Sequence, residues 1–264
     1  MTTRTTWTAE EQSVIRLGII VPSSNTAMEP ILASMLQTVN SAISPKHITV
    51  HFSRFRVTQI AMNESAGQQF ELEKMLEAAD LLADAKVDAV AWGGTSAGWL
   101  GFDRDRVLVS AIEKRFRMPA FTSTLALATY FQDKKVEVAG LVTPYTQEMN
   151  HAIATNFGTQ GIRLLTPSNP LSITDNIEIG KTTWPQLTTM MEQVLSHDKR
   201  IRYVMTYCTN LLAAAWAIDW ENEFRDRNIV VLDSVSILLW YFLRRFDLHL
   251  ERTDLFLKWG KLFE

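Results

Sequence analysis

The sequence predicts an α/β protein built from two pseudo-symmetric, Rossmann-like lobes, each a parallel sheet flanked by helices, with the active site in the cleft between them. Three observations predict this. Short apolar runs rich in β-branched residues recur along the chain, helical patterns separate them, and in each half a short strand ends in a small, hydroxyl-rich tripeptide. Continuous apolar strands belong to sheets covered on both faces, and their alternation with helices is the pattern of parallel βα units.

The elements follow in order. Leu17 to Val21 reads as a buried strand that Pro22 and Ser23-Ser24-Asn25 end, and Met28 to Val39 as the helix after it. Ile48 to Phe55 is a second strand, and Glu64 to Ala85 one long amphipathic helix. Val87 to Trp92 is a third strand, stopped by Gly93-Gly94. Further strands are expected at Val136 to Val142, Arg163 to Leu165, Ile201 to Thr206 and Ile229 to Leu232. The expected division is residues 1–120 plus 233–264 for a discontinuous first lobe and 121–232 for the second.

A chain of 264 residues buries a substantial core. Its formal net charge of -3, with no long basic run, leaves no electrostatic footprint for nucleic acid or an anionic membrane. Residues Met1 to Gln12 are polar, unlike a secretory signal, and no window approaches the roughly 20 apolar residues of a membrane span. One cysteine excludes an internal disulfide and a cysteine-based zinc site, and the histidines at 47, 51, 151, 197 and 249 lack a ligand spacing beyond His47/His51. The expectation is a cytoplasmic protein without metal or cofactor, acting on a small molecule. A homo-oligomer is compatible with the sequence. GxGxxG, GxxxxGK and GxSxG are absent, which speaks against dinucleotide, phosphate-loop and serine-hydrolase chemistry.

The chemistry-bearing residues fall at matching places in the two halves. Val87 to Trp92 leads to Gly94-Thr95-Ser96, and Ile201 to Thr206 leads to Cys208-Thr209-Asn210. Two facing halves would set these tripeptides opposite one another, at strand ends where α/β sheets bind ligands. Each has two readings. Cys208 is either a small buried hydrophobe or, before a helix start at Thr209-Asn210-Leu211, a thiol tuned to act as acid, base or nucleophile. Thr95 and Ser96 either cap a helix or grip a carboxylate through hydroxyls and N–H groups. Tyr145, after Pro144, is a turn residue or a third donor to that anion. Trp92, Trp99 and Trp216 lie near these positions in sequence, and Phe52, Phe55 and Met62 flank the loop after the second strand. All read as core or as pocket wall.

Together these stations resemble the aspartate/glutamate racemase superfamily, in its branch of maleate cis-trans isomerases and arylmalonate decarboxylases. The likeness rests on Gly18 through Asn25, Gly94-Thr95-Ser96, Thr143-Pro144-Tyr145 through Asn150, Ile173 through Asn176, the Cys208 turn, and Gly260 through Phe263. The resemblance implies that Thr95, Ser96, Tyr145 and the amides around Cys208 and Thr209 hold one carboxylate. It implies that Asn25 and Asn176 bind a second polar group or shape a pocket to which Pro22 and Gly94 also belong. Most of the superfamily uses two facing cysteines, whereas Gly94 stands at the first position here. Glycine there, with cysteine in the second half, is the decarboxylase arrangement, while Pro-Ser-Ser-Asn and Asp175-Asn176 look like the isomerases. The leading expectation is therefore a cofactor-independent decarboxylase of a malonate-type, aryl-substituted or other, acid, with Cys208 protonating an enediolate. The alternative is an isomerase or racemase in which a hydroxyl of Thr95, Ser96 or Tyr207 replaces the missing thiol. A nucleophilic Cys208 hydrolase and a silent small-acid binder complete the field.

Overall fold

The computed structural model describes residues 13–248, 250 and 254–264, so His249 and the Met1 to Gln12 segment lie outside the described residues. Among the described residues, eight strands form two four-stranded parallel sheets. The first sheet contains β1 (Val14–Pro22), β2 (His47–Phe55), β3 (Ala89–Trp92) and β4 (Ala120–Thr122), in the order β2-β1-β3-β4. The second contains β5 (Val138–Val142), β6 (Arg163–Leu165), β7 (Tyr203–Thr206) and β8 (Val230–Asp233), in the order β6-β5-β7-β8. The two orders are the same, so the predicted pseudo-symmetric α/β class is the observed one.

Burial explains why the strands read so clearly. In β1, Leu17, Ile19 and Val21 face one side, packing with Leu32, Met35 and Val39 of helix Met28–Ala42. Ile20 faces the other side, with Leu76, Ala79 and Leu82 of helix Leu72–Asp84. With both faces covered, every second residue has no reason to be polar. After β8, helix Ser236–Arg245 brings Leu238, Leu239 and Phe242 into the same apolar cluster as Leu17, Ile19 and Val21. The last turn goes the other way: Lys261 donates from its N–H to Glu221 Oε2 (2.8 Å) and from Nζ to the Ile229 carbonyl (3.2 Å) beside β8.

Two expectations are corrected, and one strand was not expected. The long helix over 64–85 is two helices, Glu64–Gln68 and Leu72–Asp84. Between them Gln69 turns to accept from the Thr58 N–H (2.8 Å) and donate to the Gln59 carbonyl (3.0 Å), and Phe70 is drawn inward to 6% exposure. Strand β4 went unpredicted because its three residues are too short to show a pattern. No helix starts at Thr209: Cys208 to Asn210 form a turn ahead of the short 3-10 segment Ala213–Trp216, so no helix dipole acts on the thiol.

Candidate active site

In a sheet of order β2-β1-β3-β4, the chain leaves β1 and β3 in opposite directions, which opens a crevice at their carboxyl ends. The second sheet does the same between β5 and β7. Four loops follow from these four strands: Ser23-Ser24-Asn25, Gly93 to Ser96, Thr143-Pro144-Tyr145, and Tyr207 to Asn210. Pro22, Asn25, Gly94, Thr95, Ser96, Tyr145, Cys208 and Thr209 lie on or beside these loops, and Asn176 does not. That residue arrives through a cross-lobe seam, in which the Ile60 N–H donates to the Thr174 carbonyl (2.8 Å) and the Asn176 N–H to the Thr58 carbonyl (3.0 Å).

Hydrogen bonds fix the thiol turn across the cleft. Thr209 Oγ1 donates to the Gly93 carbonyl (3.0 Å). Asn25 Nδ2 donates to both the carbonyl (3.1 Å) and Oγ1 (3.2 Å) of Thr209, while its Oδ1 accepts from the N–H groups of Ala27 and Met28. Asn210 completes the clasp. Its Oδ1 accepts from the N–H groups of Thr26 (2.8 Å) and Ala27 (3.1 Å), and its Nδ2 donates to the Asn176 carbonyl. Behind the turn, Thr206 Oγ1 donates to Asp233 Oδ2 (2.9 Å) and the Ser234 hydroxyl to the Thr206 carbonyl (3.0 Å). Each such bond contributes about 1 kcal/mol, and leaving any of these buried groups unpaired costs more.

Pro22, Asn25, Gly94, Thr95, Ser96, Tyr145, Asn176, Cys208 and Thr209 line one cavity, together with Ile60, Phe70, Trp92 and Trp99. The space is tight, a cavity of about 20 Å³. Its wall divides into two chemistries. One side carries hydroxyls, amides and the thiol, with Thr95 Oγ1 and the Tyr145 hydroxyl 3.2 Å apart. The other is apolar: Phe70 and Trp92 ring centroids lie 6.3 Å apart, Phe70 and Trp99 6.1 Å, and Trp99 and Tyr145 5.4 Å. No Lys, Arg or His lines it. An anion here meets oriented neutral donors in a poorly solvated space, where such donors act most strongly.

The electrostatics favour a neutral thiol. Burial pushes Cys208 up to about 11, and Asp233 adds to the rise. A hydrogen bond from Tyr145 and the N–H groups of Asn210 and Leu211 act in the opposite sense. Burial also pushes Tyr145 well above the ordinary phenol range, with Cys208 adding to the rise and Thr95 opposing it. Both groups therefore hold their protons at neutral pH and present them to whatever the cavity holds.

The structure separates the other candidates. Asn25 has its amide fully engaged in the loop clasp, so it shapes the cavity and has no free donor for a ligand. Tyr207 lies outside the cavity, packed against Gly98 with its hydroxyl 2.7 Å from Thr124 Oγ1, which removes it as a replacement for the missing thiol. A Cβ on Gly98 would overlap that ring. Trp216 packs edge-on against Trp184 and Trp220 away from the site, and Met62 is exposed. Phe55 packs behind Trp92 at 5.4 Å, and Phe52 belongs to the cluster around β1. Missed from sequence were Ile60 and Phe70, which only the seam and the helix break bring inward. Also missed was the pairing of Trp92 with Gly94. A Cβ on Gly94 would overlap Cζ2, Cε2 and Cη2 of Trp92, so the indole fills the place a side chain would take. The indole Nε1 is buried without a hydrogen-bond partner.

Among the described residues no group of three or more His, Cys, Asp and Glu is placed to hold a metal ion, and no helix is long and apolar enough to cross a membrane. The cleft between two matched parallel sheets thus holds a thiol beside a cluster of hydroxyls, with no fixed charge of opposite sign lining the cavity. Comparison narrows this. The family model for arylmalonate decarboxylase matches residues 17–254. The chain belongs to the arylmalonate decarboxylase family, in the branch of the aspartate/glutamate racemase-like fold that also contains the maleate isomerases. A maleate isomerase of Pseudomonas putida is 30% identical over 172 residues, 63% of this chain and 67% of that protein. A maleate isomerase of Alcaligenes faecalis is 26% identical over 194 residues, 71% and 72% of the two chains. Among solved structures, a Pseudomonas putida maleate isomerase superposes with TM-score 0.75 at 22% identity, covering 89% of this chain and 94% of that one. A liganded mutant of arylmalonate decarboxylase superposes with TM-score 0.74 at 16% identity, covering 96% and 99%.

Proposed function

We propose that this chain is a cofactor-independent enzyme that delivers one proton to the carbon beside a carboxylate, with Cys208 as the acid. Thr95, Ser96, Tyr145 and the backbone N–H groups near Thr209 hold the carboxylate. Removal of a substituent from that carbon leaves charge spread onto the held carboxylate as an enediolate. Oriented donors stabilise that charge, each by roughly 3 kcal/mol. Two cytoplasmic lobes, with helix Ser236–Arg245 returning to the first, would close over the substrate and exclude water.

The observation that carries a one-thiol reaction is the Trp92 indole on Gly94, which fills the place a side chain at position 94 would take in the cavity that Cys208 also lines, and so excludes a second cysteine there without repacking. One acid on one face supports decarboxylation of a malonate-type acid. One carboxylate sits in the cradle, and the other lies against Ile60, Phe70 and Trp99, where lost hydration favours release of neutral CO₂.

Isomerisation of a small unsaturated diacid is the second reading, and the curated relatives favour it, since those at 26–30% identity are maleate isomerases. The unpaired Trp92 Nε1 would serve it as donor to a second carboxylate. The test is product analysis over substituted malonates, maleate and chiral substituted acids, for wild type and Cys208→Ala. CO₂ release lost in the variant supports decarboxylation. Fumarate formation, or proton exchange without CO₂, replaces it with the isomerase or racemase reading.

A further inference from the structure

Arg54 on β2 does not line the cavity, yet its guanidinium gathers the loop that follows the neighbouring strand β1. Its Nη1 donates to the carbonyls of Ser23 (3.0 Å) and Asn25 (3.0 Å), with that of Pro22 at 3.5 Å. Its Nη2 donates to Glu29 Oε1 (2.5 Å) in the first turn of helix Met28–Ala42. Both side chains of this ion pair are 38% exposed, so the pair by itself contributes little. The carbonyls matter more. A trans peptide unit points its C=O and N–H in opposite directions. In the unit that joins Asn25 to Thr26, the carbonyl faces Arg54 while the N–H donates to Asn210 Oδ1 (2.8 Å). The Asn210 N–H in turn lies 3.5 Å from Cys208 Sγ. A line of contacts therefore runs from a half-exposed arginine, through one peptide plane and one side-chain amide, to the sulfur.

Resting on the reading of Cys208 as the acid, we propose that Arg54 is a positioning residue for the thiol. By holding the Asn25 carbonyl it fixes the Asn25–Thr26 peptide plane, and with it Asn210 and the turn that carries Cys208. When the plane rotates, Asn210 Oδ1 loses one of its two backbone donors, Thr26 and Ala27, and the turn loosens. The role needs a planar fork that reaches several acceptors at once, which a guanidinium has and an ammonium lacks. It does not need the charge of Glu29.

Cys208 is the only cysteine of the chain, so alkylation by iodoacetamide reads this thiol alone. Its rate against pH is measured well below each thermal midpoint for wild type, Arg54→Lys, Arg54→Gly and Glu29→Gln. Arg54→Gly is measured again with guanidinium ion or ammonium ion added at the same low concentration. In parallel, the same proteins are titrated with maleate and phenylmalonate by calorimetry. Arg54→Lys and Arg54→Gly are expected to alkylate about tenfold faster than wild type, because the loosened turn admits reagent and thiolate alike. The thiol value, near 11 through burial, is expected to move down in both as water enters. Tyr145, Tyr207 and Asp233, the titratable groups that face the thiol, are unaltered in every variant. Guanidinium ion is expected to bring Arg54→Gly back to within about threefold of wild type, and ammonium ion is not. Glu29→Gln stays within about twofold of wild type. A general loss of stability would speed alkylation but would not be reversed by guanidinium. Wild-type rates in Arg54→Lys, equal acceleration in Glu29→Gln, or no response to guanidinium overturns the role. If the thiol responds as stated while neither diacid binds wild type, the positioning role stands and the carboxylate reading falls.

Discussion

Strands β3 and β7 occupy the same place in their sheets, and each ends in a small-residue loop at the cleft, yet the two ends do different things. After β7, Cys208 points its thiol into the cavity on a turn held by Asn25, Asn210 and the Asp233-Ser234 pair. After β3, Gly94 has no side chain, and Trp92 from the strand itself lies over it. The framework is duplicated while the thiol stands on one side only. At the position that matches Cys208 stands Gly94, and packing as well as sequence closes that position to a side chain.

The largest effect that bears on this asymmetry is at the thiol. Cys208→Ala removes the proposed acid, and kcat is expected to fall about a thousandfold or more with the thermal midpoint little changed, as steady-state kinetics and melting curves will report. Next, Tyr145→Phe removes one donor from the carboxylate cradle and is expected to lower kcat about a hundredfold. Because Tyr145 also stands beside the thiol, the same variant is expected to move the pH profile.

That profile distinguishes the two roles of a thiol. Burial holds Cys208 near 11, so the neutral form prevails below that value. As an acid it gives a kcat that is flat up to about pH 10 and falls beyond it; as a base it gives a kcat rising about tenfold per pH unit over the same range.

Two smaller effects sharpen the comparison through stability. Gly94→Cys forces a side chain into the Trp92 ring and is expected to cost about 1–3 kcal/mol in urea unfolding. Combining it with Trp92→Leu should recover most of that loss, a coupling that independent sites would not show. Asp105 is raised from 3.8 to about 7 by burial, so its folded form binds the proton more tightly than the unfolded chain does. Its contribution to stability is present below about pH 4 and lost as pH rises through about 7, and Asp105→Asn should flatten that part of the stability curve.

The sheet class was legible because β1, β5 and β7 are covered on both faces and write themselves as unbroken apolar runs. The hydroxyls and the thiol of the cavity were legible because each sits just past such a run. What stayed hidden depends on approach between distant segments. The break at Gln69 comes from its bonds to Thr58 and Gln59, which no helical period encodes. Asn25 reads as a ligand group until its partners Thr209, Ala27 and Met28 are seen to engage it completely. Trp92 reads as core, which it is at 1% exposure, but its overlap with Gly94 is a fact of side-chain direction that spacing along a strand does not carry.

The most direct test of a one-sided site is the stereochemistry of proton delivery in heavy water, measured on an asymmetrically substituted malonate or any other acid the enzyme turns over. The one-thiol account predicts deuterium in a single configuration, with Cys208→Ala forming none. Deuterium distributed equally over both configurations by the enzyme itself would contradict it, because a second group would then have to deliver a proton from the face that Trp92 covers.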